Sequence, residues 1–257
     1  MLDTASKRVL VGMSGGVDSS VCVKLLREEG FVVEGAVIRF SPAHEGAVEQ
    51  ARQVAAQLDV PLRVLDCCTE FETSVIQPFC ESYCHGKTPN PCILCNPRVK
   101  FSALARAADD MGIHCIASGH YARIAKTDRG FAVQKAASTA RDQSYMLYRL
   151  SQDILARLLL PLGAFEKPEI RAMARAMGLC CADAPDSQEI CFIPDGDYAS
   201  YIAQRGGSWL TGHFIAPDGT DLGAHKGVVH YTVGQRKGLG LSLNAPAFIK
   251  RIREDGN

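Results

Sequence analysis

The sequence predicts an α/β fold in which a parallel sheet carries helices on both faces, with a small β-rich appendage towards the C-terminal end. Short apolar runs alternate with segments of helical periodicity through the first half of the chain. A glycine-rich turn joins the first apolar run to the first helical segment. From about Gly206 onward, glycines become frequent and only short alternating apolar pieces remain. We therefore expect two domains, residues 1–205 and residues 206–257.

The elements of the first half follow from these patterns. Apolar, β-branched runs predict strands at residues 9–11, 32–40, 61–65 and 115–118. Apolar residues at helical spacing predict helices at residues 19–29, 46–58, 70–83 and 98–111. A βαβαβ series forms a parallel sheet, and ligands of such sheets bind beyond the carboxyl ends of the strands. The glycine-rich turn follows the first strand and lies at that edge.

The other segments are shorter. Three prolines in residues 85–97 exclude a continuous helix, so we expect a loop there. We also expect a hairpin from residues 124–125 and 131–133, helices at residues 152–160 and 168–177, and a strand or loop at residues 186–194. In the appendage, alternating apolar pieces predict strands at residues 213–215, 228–233 and 247–252.

Composition narrows the class of protein. The 257 residues suit one large domain or one domain with an appendage, and 28 basic residues balance 28 acidic ones. Net charge therefore gives no argument for a polyanionic partner, and any nucleic-acid contact must come from a local patch. No apolar run approaches the ~20 residues of a membrane span, and no signal peptide is apparent, so we expect no membrane partner and a cytoplasmic location. In a cytoplasmic protein we expect the eleven cysteines to be free thiols, metal ligands or catalytic groups rather than disulfides.

The glycine-rich turn, Met13-Ser14-Gly15-Gly16-Val17-Asp18-Ser19-Ser20, predicts a phosphate site. Its glycines let the backbone approach an anion closely, and its serines add hydroxyl donors. The start of the following helix adds N–H groups and a positive dipole end. The turn matches neither the Walker A loop nor the dinucleotide fingerprint. The alternative interpretation is an ordinary strand-to-helix turn in which Asp18 caps the helix.

Seven stretches, in order, resemble one family. They are SGGVDSSV, TPNPCILCNPRVKF, ASGHYAR, RDQSYMLY, KPEIRAMARAMGL, DSQEICFIP and HKGVVHYTVGQRKGLG. The chain resembles the bacterial tRNA-specific 2-thiouridylases (the MnmA family) of the ATP pyrophosphatase, or PP-loop, superfamily. This resemblance implies an adenine nucleotide alpha-hydrolase-like sheet and a sulfurtransferase that uses ATP to thiolate the wobble uridine of tRNA. Two features depart from the family: its usual further C-terminal β-barrel does not follow, and Cys92 stands where Asp is usual.

By resemblance, ATP and Mg²⁺ bind at the glycine-rich turn, and ATP adenylates the uridine C2 oxygen. The residues expected to cradle the pyrophosphate are Gly12, Met13, Ser14, Gly15, Gly16, Val17, Asp18 and Ser19. The backbone near Ile38 and Gly119 is expected to hold the adenine. Asp18 is expected to help bind Mg²⁺, and this ion offsets negative charge on the phosphates.

Sulfur transfer needs a reactive cysteine. Cys95 matches the family's nucleophile and Cys191 its persulfide-bearing cysteine. With Cys92, these cysteines could instead hold a [4Fe–4S] cluster, which we favour because a third thiol replaces a carboxylate. Zinc and a redox CxxC motif remain alternatives. The sulfur donor would be a cysteine desulfurase, a sulfur-relay protein or sulfide.

The expected tRNA contacts also come from the resemblance. They involve Asn90, Pro91, Cys92, His120, Arg141, Asp142 and Gln143, with a basic stretch of His225, Lys226, His230, Arg236 and Lys237. The alternatives are a histidine that serves packing and a solvated charged face. Two other functions stay open: an ATP pyrophosphatase acting on another RNA base or a small molecule, and a non-catalytic iron–sulfur RNA-binding protein.

Overall fold

The computed structural model describes residues 7–186, 190–243, 245–253 and 255–256. The chain divides into two compact units: Met1–Ser74 with Cys92–Asp186, and Val75–Pro91 with Ser187–Asn257. Residues 75–91 and 190–205, which we expected in the first domain, thus lie in the second unit. The functional boundary after residue 205 stays a prediction. Within the described ranges, no helix is long and apolar enough to cross a membrane.

A parallel sheet forms the centre of the first unit. The strands of this unit are β1 (Arg8–Gly12), β2 (Val32–Arg39), β3 (Leu62–Asp66), β4 (Cys115–Ser118), β5 (Ala122–Thr127), β6 (Gly130–Lys135) and β7 (Leu158–Leu159). Five of them pair in the order β3-β2-β1-β4-β7, all parallel, and β5 and β6 form an antiparallel hairpin. This confirms the predicted α/β class and the predicted hairpin.

Helices cover both faces of this sheet. The helices of the described residues are α1 (Val17–Glu28), α2 (Glu45–Gln57), α3 (Cys68–Phe71), α4 (Gln77–Cys84), α5 (Pro91–Cys95), α6 (Phe101–Asp110), α7 (Gln152–Leu155), α8 (Lys167–Ala176) and α9 (Tyr198–Gln204). Because side chains alternate along a strand, β1 serves two cores. Val9 and Val11 pack with α1 and α8, whereas Leu10 packs with α6.

Strand β1 is the point where the order of the sheet reverses. The chain passes from β1 to β2 on one side and later returns to β4 on the other side. The carboxyl ends of β1 and β4 therefore flank a crevice of the kind in which open α/β sheets bind ligands. The glycine-rich turn, which lies between β1 and α1, opens into this crevice.

The loop predicted at residues 85–97 is partly helical. Pro91 opens α5, a position where a helix loses nothing from the missing N–H of proline. A π-helical turn, Asn96–Lys100, then joins α5 to α6. A second π-helical turn, Glu72–Ile76, joins α3 to α4, so that the predicted helix at residues 70–83 is interrupted.

The helix predicted at residues 152–160 was wrong in its second half. α7 ends at Leu155, and Leu158–Leu159 forms β7, which pairs with β4 at the edge of the sheet. The apolar run fits a helix and a buried strand equally well, and pairing with β4 decides between them. The predicted helix at residues 168–177 is confirmed as α8, one residue earlier.

The second unit contains α4, α9 and the antiparallel strands β8 (His213–Ile215) and β9 (Asp221–Ala224). The predicted strand at residues 213–215 is confirmed, but the one at residues 228–233 is wrong because Val228–His230 forms a 3₁₀ turn. The described part of residues 247–252 has no regular secondary structure. Residues 190–194, for which we left strand or loop open, form turns, and residues 187–189 lie outside the described residues.

Candidate nucleotide-binding site

A cavity of about 220 Å³ lies at the carboxyl ends of β1, β2 and β4 in the first unit. Residues predicted from the sequence line much of it: Gly12, Met13, Ser14, Asp18, Ser19, Ile38, Gly119, His120 and Gln143. The remaining lining residues are Ala36, Phe40, Lys100, Phe101, Leu104 and Ser118. Gly15, Gly16 and Val17 belong to the same turn but do not line the cavity.

The glycine-rich turn is held in shape by its own serines. The Ser19 hydroxyl accepts a hydrogen bond from the Ser14 backbone N–H at 3.2 Å and donates one to the Gly16 carbonyl at 3.2 Å. Gly15 has φ +77°, and a Cβ there would come within 2.7 Å of the Ala51 backbone nitrogen. A side chain at this position would therefore push the turn away from α2. The turn keeps a shape in which backbone groups can approach an anion.

One wall of the cavity is apolar. Ile38 and Phe40 approach it from β2 and the residue after it, and Phe101 and Leu104 approach it from α6. Apolar walls with a few polar groups are typical of sites that hold a flat heterocycle. The combination of this wall with the glycine-rich turn suits a nucleotide, with the base on the wall and phosphates at the turn.

Asp18 does not cap α1. The N-cap of α1 is Gly16, with no side-chain cap, and both carboxylate oxygens of Asp18 lie 2.7 Å from the Lys167 ammonium nitrogen. The Tyr121 hydroxyl also donates to Asp18, at 2.8 Å. Burial and the neighbouring charge of Asp18 raise the pKa of Tyr121, so this hydroxyl keeps its proton.

Lys167 is itself shared by two carboxylates. Its ammonium lies 3.0 Å from Asp186, which also pairs with Arg171 at 2.8 Å and with Arg141 at 3.0 Å. Burial opposes ionisation of Asp186, but the hydrogen bond from Lys167 and the nearby guanidinium groups hold its pKa below the ordinary value. Three cations thus surround two carboxylates behind the turn.

His120 is buried beside the cavity, with 9% of its surface exposed. Its Nδ1 shares a hydrogen bond of 2.7 Å with the Ser118 hydroxyl, and its ring packs 5.7 Å from that of Phe101. Burial, and then the charge of Lys100, holds the pKa of His120 well below its ordinary value, so the ring is neutral near pH 7. The side chain is packed and also lines the cavity, and its contact with tRNA stays a prediction.

Comparisons with known proteins show the family to which the chain belongs. Profiles described as the tRNA methyl transferase HUP domain and the tRNA methyl transferase PRC-barrel domain match residues 7–195 and 199–257. The chain is 45% identical to the tRNA-specific 2-thiouridylase MnmA of Lachnoclostridium phytofermentans, over 98% of this chain and 74% of that protein. The chain belongs to the tRNA-specific 2-thiouridylase family. The protein of the same name from Clostridium botulinum is 44% identical, over 100% of this chain and 74% of that one.

The fold of this 2-thiouridylase family member also has solved counterparts. The structure of a 4-thiouridine synthetase–RNA complex with bound ATP matches 77% of this chain and 50% of that one, with a TM-score of 0.51 and 17% identity. At this identity the likeness concerns the fold alone. It confirms the PP-loop type of sheet.

The loop that follows the hairpin carries three residues predicted to contact tRNA. Gln143 lines the cavity, and its side-chain carbonyl accepts a hydrogen bond from the Tyr121 backbone N–H at 3.0 Å. Asp142 accepts hydrogen bonds from the Ala136 backbone and the Ser144 hydroxyl, so its carboxylate shapes the loop. Arg141 is exposed and pairs with Asp186. Their contacts with tRNA stay predictions.

The predicted catalytic cysteines lie in different units. Cys95 is buried at the end of α5, and Cys92 is half-buried on the same helix, both in the first unit. Cys191 is exposed in the second unit, to which Asn90, also exposed, and Pro91, buried, belong as well. The roles of all these residues stay predictions.

Neither predicted metal group is supported by the described residues. Among the described residues, no group of three or more His, Cys, Asp or Glu side chains is placed to hold a metal ion. Asp18, the expected aid to Mg²⁺, already has an ammonium group against both of its oxygens. We therefore derive no step through a [4Fe–4S] cluster or through a metal held by Asp18.

Sequence reasoning missed Lys167, Tyr121 and Asp186 as parts of the site. Each lies inside one of the seven stretches that resemble the family. That position is the only feature of the sequence that could have pointed to them. Their contacts join residues 103 and 149 positions apart, a separation that no local pattern spans.

Proposed function

We propose that the chain uses ATP to convert the C2 carbonyl of the wobble uridine of tRNA into a thiocarbonyl. The cavity of the first unit carries this proposal, because a phosphate-type turn, an apolar wall and a neutral buried histidine meet in it. The relatives with 45% and 44% identity are named for 2-thiouridine formation in tRNA, which supports the substrate and the class of sulfurtransferase.

The first step would activate an oxygen that is otherwise a poor leaving group. The uridine C2 oxygen would attack the α-phosphate of ATP, and pyrophosphate would leave from the glycine-rich turn. The negative charge on the leaving pyrophosphate would be stabilised by N–H groups at the start of α1 and by the cations around Asp186. The target base would have to leave its stack to enter the cavity beside His120 and Gln143.

The second step would bring in sulfur. The terminal sulfur of a Cys191 persulfide would attack C2 while AMP leaves. The Cys95 thiolate would then break the S–S bond, which releases the thiolated base and leaves a disulfide that an external thiol must reduce. A cysteine desulfurase or a sulfur-relay protein would reload the reduced Cys191 by transferring persulfide sulfur. Sulfide would instead reload it by attacking the Cys191 sulfur of the disulfide, with the Cys95 thiolate as the leaving group.

Exposed cations in the second unit support a tRNA partner. Lys226, Arg236 and Lys237 from the predicted basic stretch are exposed, and Lys250, Arg251 and Arg253 add to them. His225 instead bonds the Gly256 carbonyl through Nε2, at 2.6 Å, so it serves the structure of this unit. Phosphate contacts from the exposed cations would make binding weaken with salt. The cytoplasmic location stays a prediction.

The experiment separates the two steps. The full chain is incubated with tRNA, ATP and Mg²⁺, and ATP–pyrophosphate exchange is measured. Nucleoside mass spectrometry after adding a cysteine desulfurase with cysteine, as the donor of persulfide sulfur, then identifies the product. We expect exchange that depends on tRNA and a product in which sulfur replaces oxygen.

Two variants sharpen this test. Cys95→Ser should keep exchange and lose thiolation, whereas Cys180→Ser, at an exposed cysteine of the same unit, should keep both. Exchange that depends on a small molecule instead of tRNA would favour the alternative synthetase function. Absence of exchange would refute the proposal.

A further inference from the structure

A buried lysine behind the glycine-rich turn contacts the carboxylate that the sequence predicts to help bind Mg²⁺. Lys167 is 7% exposed, and its ammonium contacts both oxygens of Asp18 and one oxygen of Asp186. Because a lysine is rarely buried unless its charge is compensated, these two carboxylates account for its position.

The charge on Asp18 poses a problem for a phosphate site. Asp18 lines the cavity, so an uncompensated carboxylate there would repel a polyphosphate across a few ångströms of partly desolvated space. The Lys167 ammonium cancels this charge at 2.7 Å from each oxygen. Arg171 and Arg141 compensate Asp186, so the group as a whole keeps one positive charge in excess.

We propose that the Lys167 ammonium is the permanent counterion of Asp18 and that Asp18 is not a Mg²⁺ ligand. Lys167 acts as a positioning residue that lets the turn accept the polyphosphate of a nucleotide. Mg²⁺ would then arrive with the phosphates and be held by them. This inference rests on the proposed function only in taking a nucleotide as the ligand of the turn.

The arrangement opposes a metal at Asp18. A divalent ion would have to displace the Lys167 ammonium from between two carboxylates. The displaced ammonium would keep only Asp186, which two arginines already compensate. It would therefore lose half of its compensation while staying buried.

The test is a double-mutant cycle on ligand binding, without tRNA or thiolation. Binding of ATP and of inorganic pyrophosphate to the full chain is measured by isothermal titration calorimetry, once with Mg²⁺ and once with EDTA. The variants are Lys167→Met, Asp18→Asn and the double variant. Arg175→Met, on the same helix in an exposed pair with Asp183, is the matched control.

We expect Lys167→Met to raise the dissociation constant of both ligands by about tenfold or more, because it leaves Asp18 uncompensated. The double variant should bind within about threefold of the wild type, since it removes both charges. Arg175→Met should match the wild type. Lys167→Arg should bind better than Lys167→Met, because it keeps the cation.

Other results would overturn the inference. If Asp18 holds Mg²⁺, Asp18→Asn and the double variant both lose affinity with Mg²⁺ and not with EDTA. Circular dichroism shows whether Lys167→Met folds; if it does not, the double variant compared with the wild type still decides the question. A wild-type chain that binds neither ligand would refute the proposed function itself, which is a different result from a wild type that binds and a double variant that does not.

Discussion

Gly119 is a position where adding a single methyl group should disturb the cavity. It follows β4 and lies against the first turn of α1. A Cβ at Gly119 would come within 2.8 Å of the Asp18 carbonyl carbon and 2.9 Å of the Ser19 nitrogen. These are backbone atoms, which cannot rotate away as the end of a side chain can.

The size of the effect follows from these distances. Ordinary contacts begin at 3.4 Å, so Gly119→Ala must move β4 and α1 apart by about half an ångström. Overpacking of a well-packed site costs about 1–3 kcal/mol. The displacement also moves Asp18 and Ser19, so ATP should bind more weakly.

The assay is urea unfolding followed by circular dichroism, with ATP binding measured by calorimetry. Gly12→Ala is the matched control, because its Cβ would lie 3.7 Å from the nearest atoms, Ala117 O and Leu104 Cδ2. We expect Gly12→Ala to change the free energy of unfolding by less than about 0.5 kcal/mol. Equal unfolding midpoints for the two variants would show that the close approach at Gly119 is not as described.

Two further predictions concern titratable groups. Because the native His120 binds a proton less readily than the unfolded one, the free energy of unfolding should fall as pH drops below about 6.5. His120→Gln should make this dependence shallower in urea unfolding at several pH values; an unchanged slope would contradict the buried neutral ring. Cys22 is buried, and burial, with the charge of Glu29, raises the pKa of its thiol, whereas Cys180 is exposed. Peptide mass spectrometry after native-state alkylation should therefore find label on Cys180 and not on Cys22, and rapid labelling of Cys22 would count against its burial.

The sequence predicted those parts of the fold that depend on local patterns. β1, α1 and the turn between them could be read because apolar periodicity and glycine spacing are local signals. The edge strand β7 could not, because two leucines after a helix fit either structure until β4 is placed beside them. α5 could not be predicted, because a proline that breaks a helix interior can equally open a helix, as Pro91 does.

The same limit applies to the candidate site, where some residues could be predicted from local patterns and others could not. Gly12, Ile38 and Gly119 could be placed in one crevice, since the carboxyl ends of parallel strands meet there. The partner of Asp18 could not be found, because nothing in the sequence around Lys167 distinguishes a buried ammonium from an exposed one. Its role depends on α8 packing against α1, which only the folded chain provides.

The π-helical turn Asn96–Lys100 limits how this region can change in length. It holds one residue more per hydrogen-bonded ring than an α turn, and it joins the helix that ends at Cys95 to the helix that begins at Phe101. Deleting one residue here would restore regular α geometry and keep the orientation of α6, because the wide turn accommodates one extra residue. Inserting a further residue would rotate α6 about its axis and turn Leu104 away from the core. Insertions between Cys95 and Phe101 should therefore be tolerated less well than a one-residue deletion, and single exchanges at exposed Arg98 should cost little.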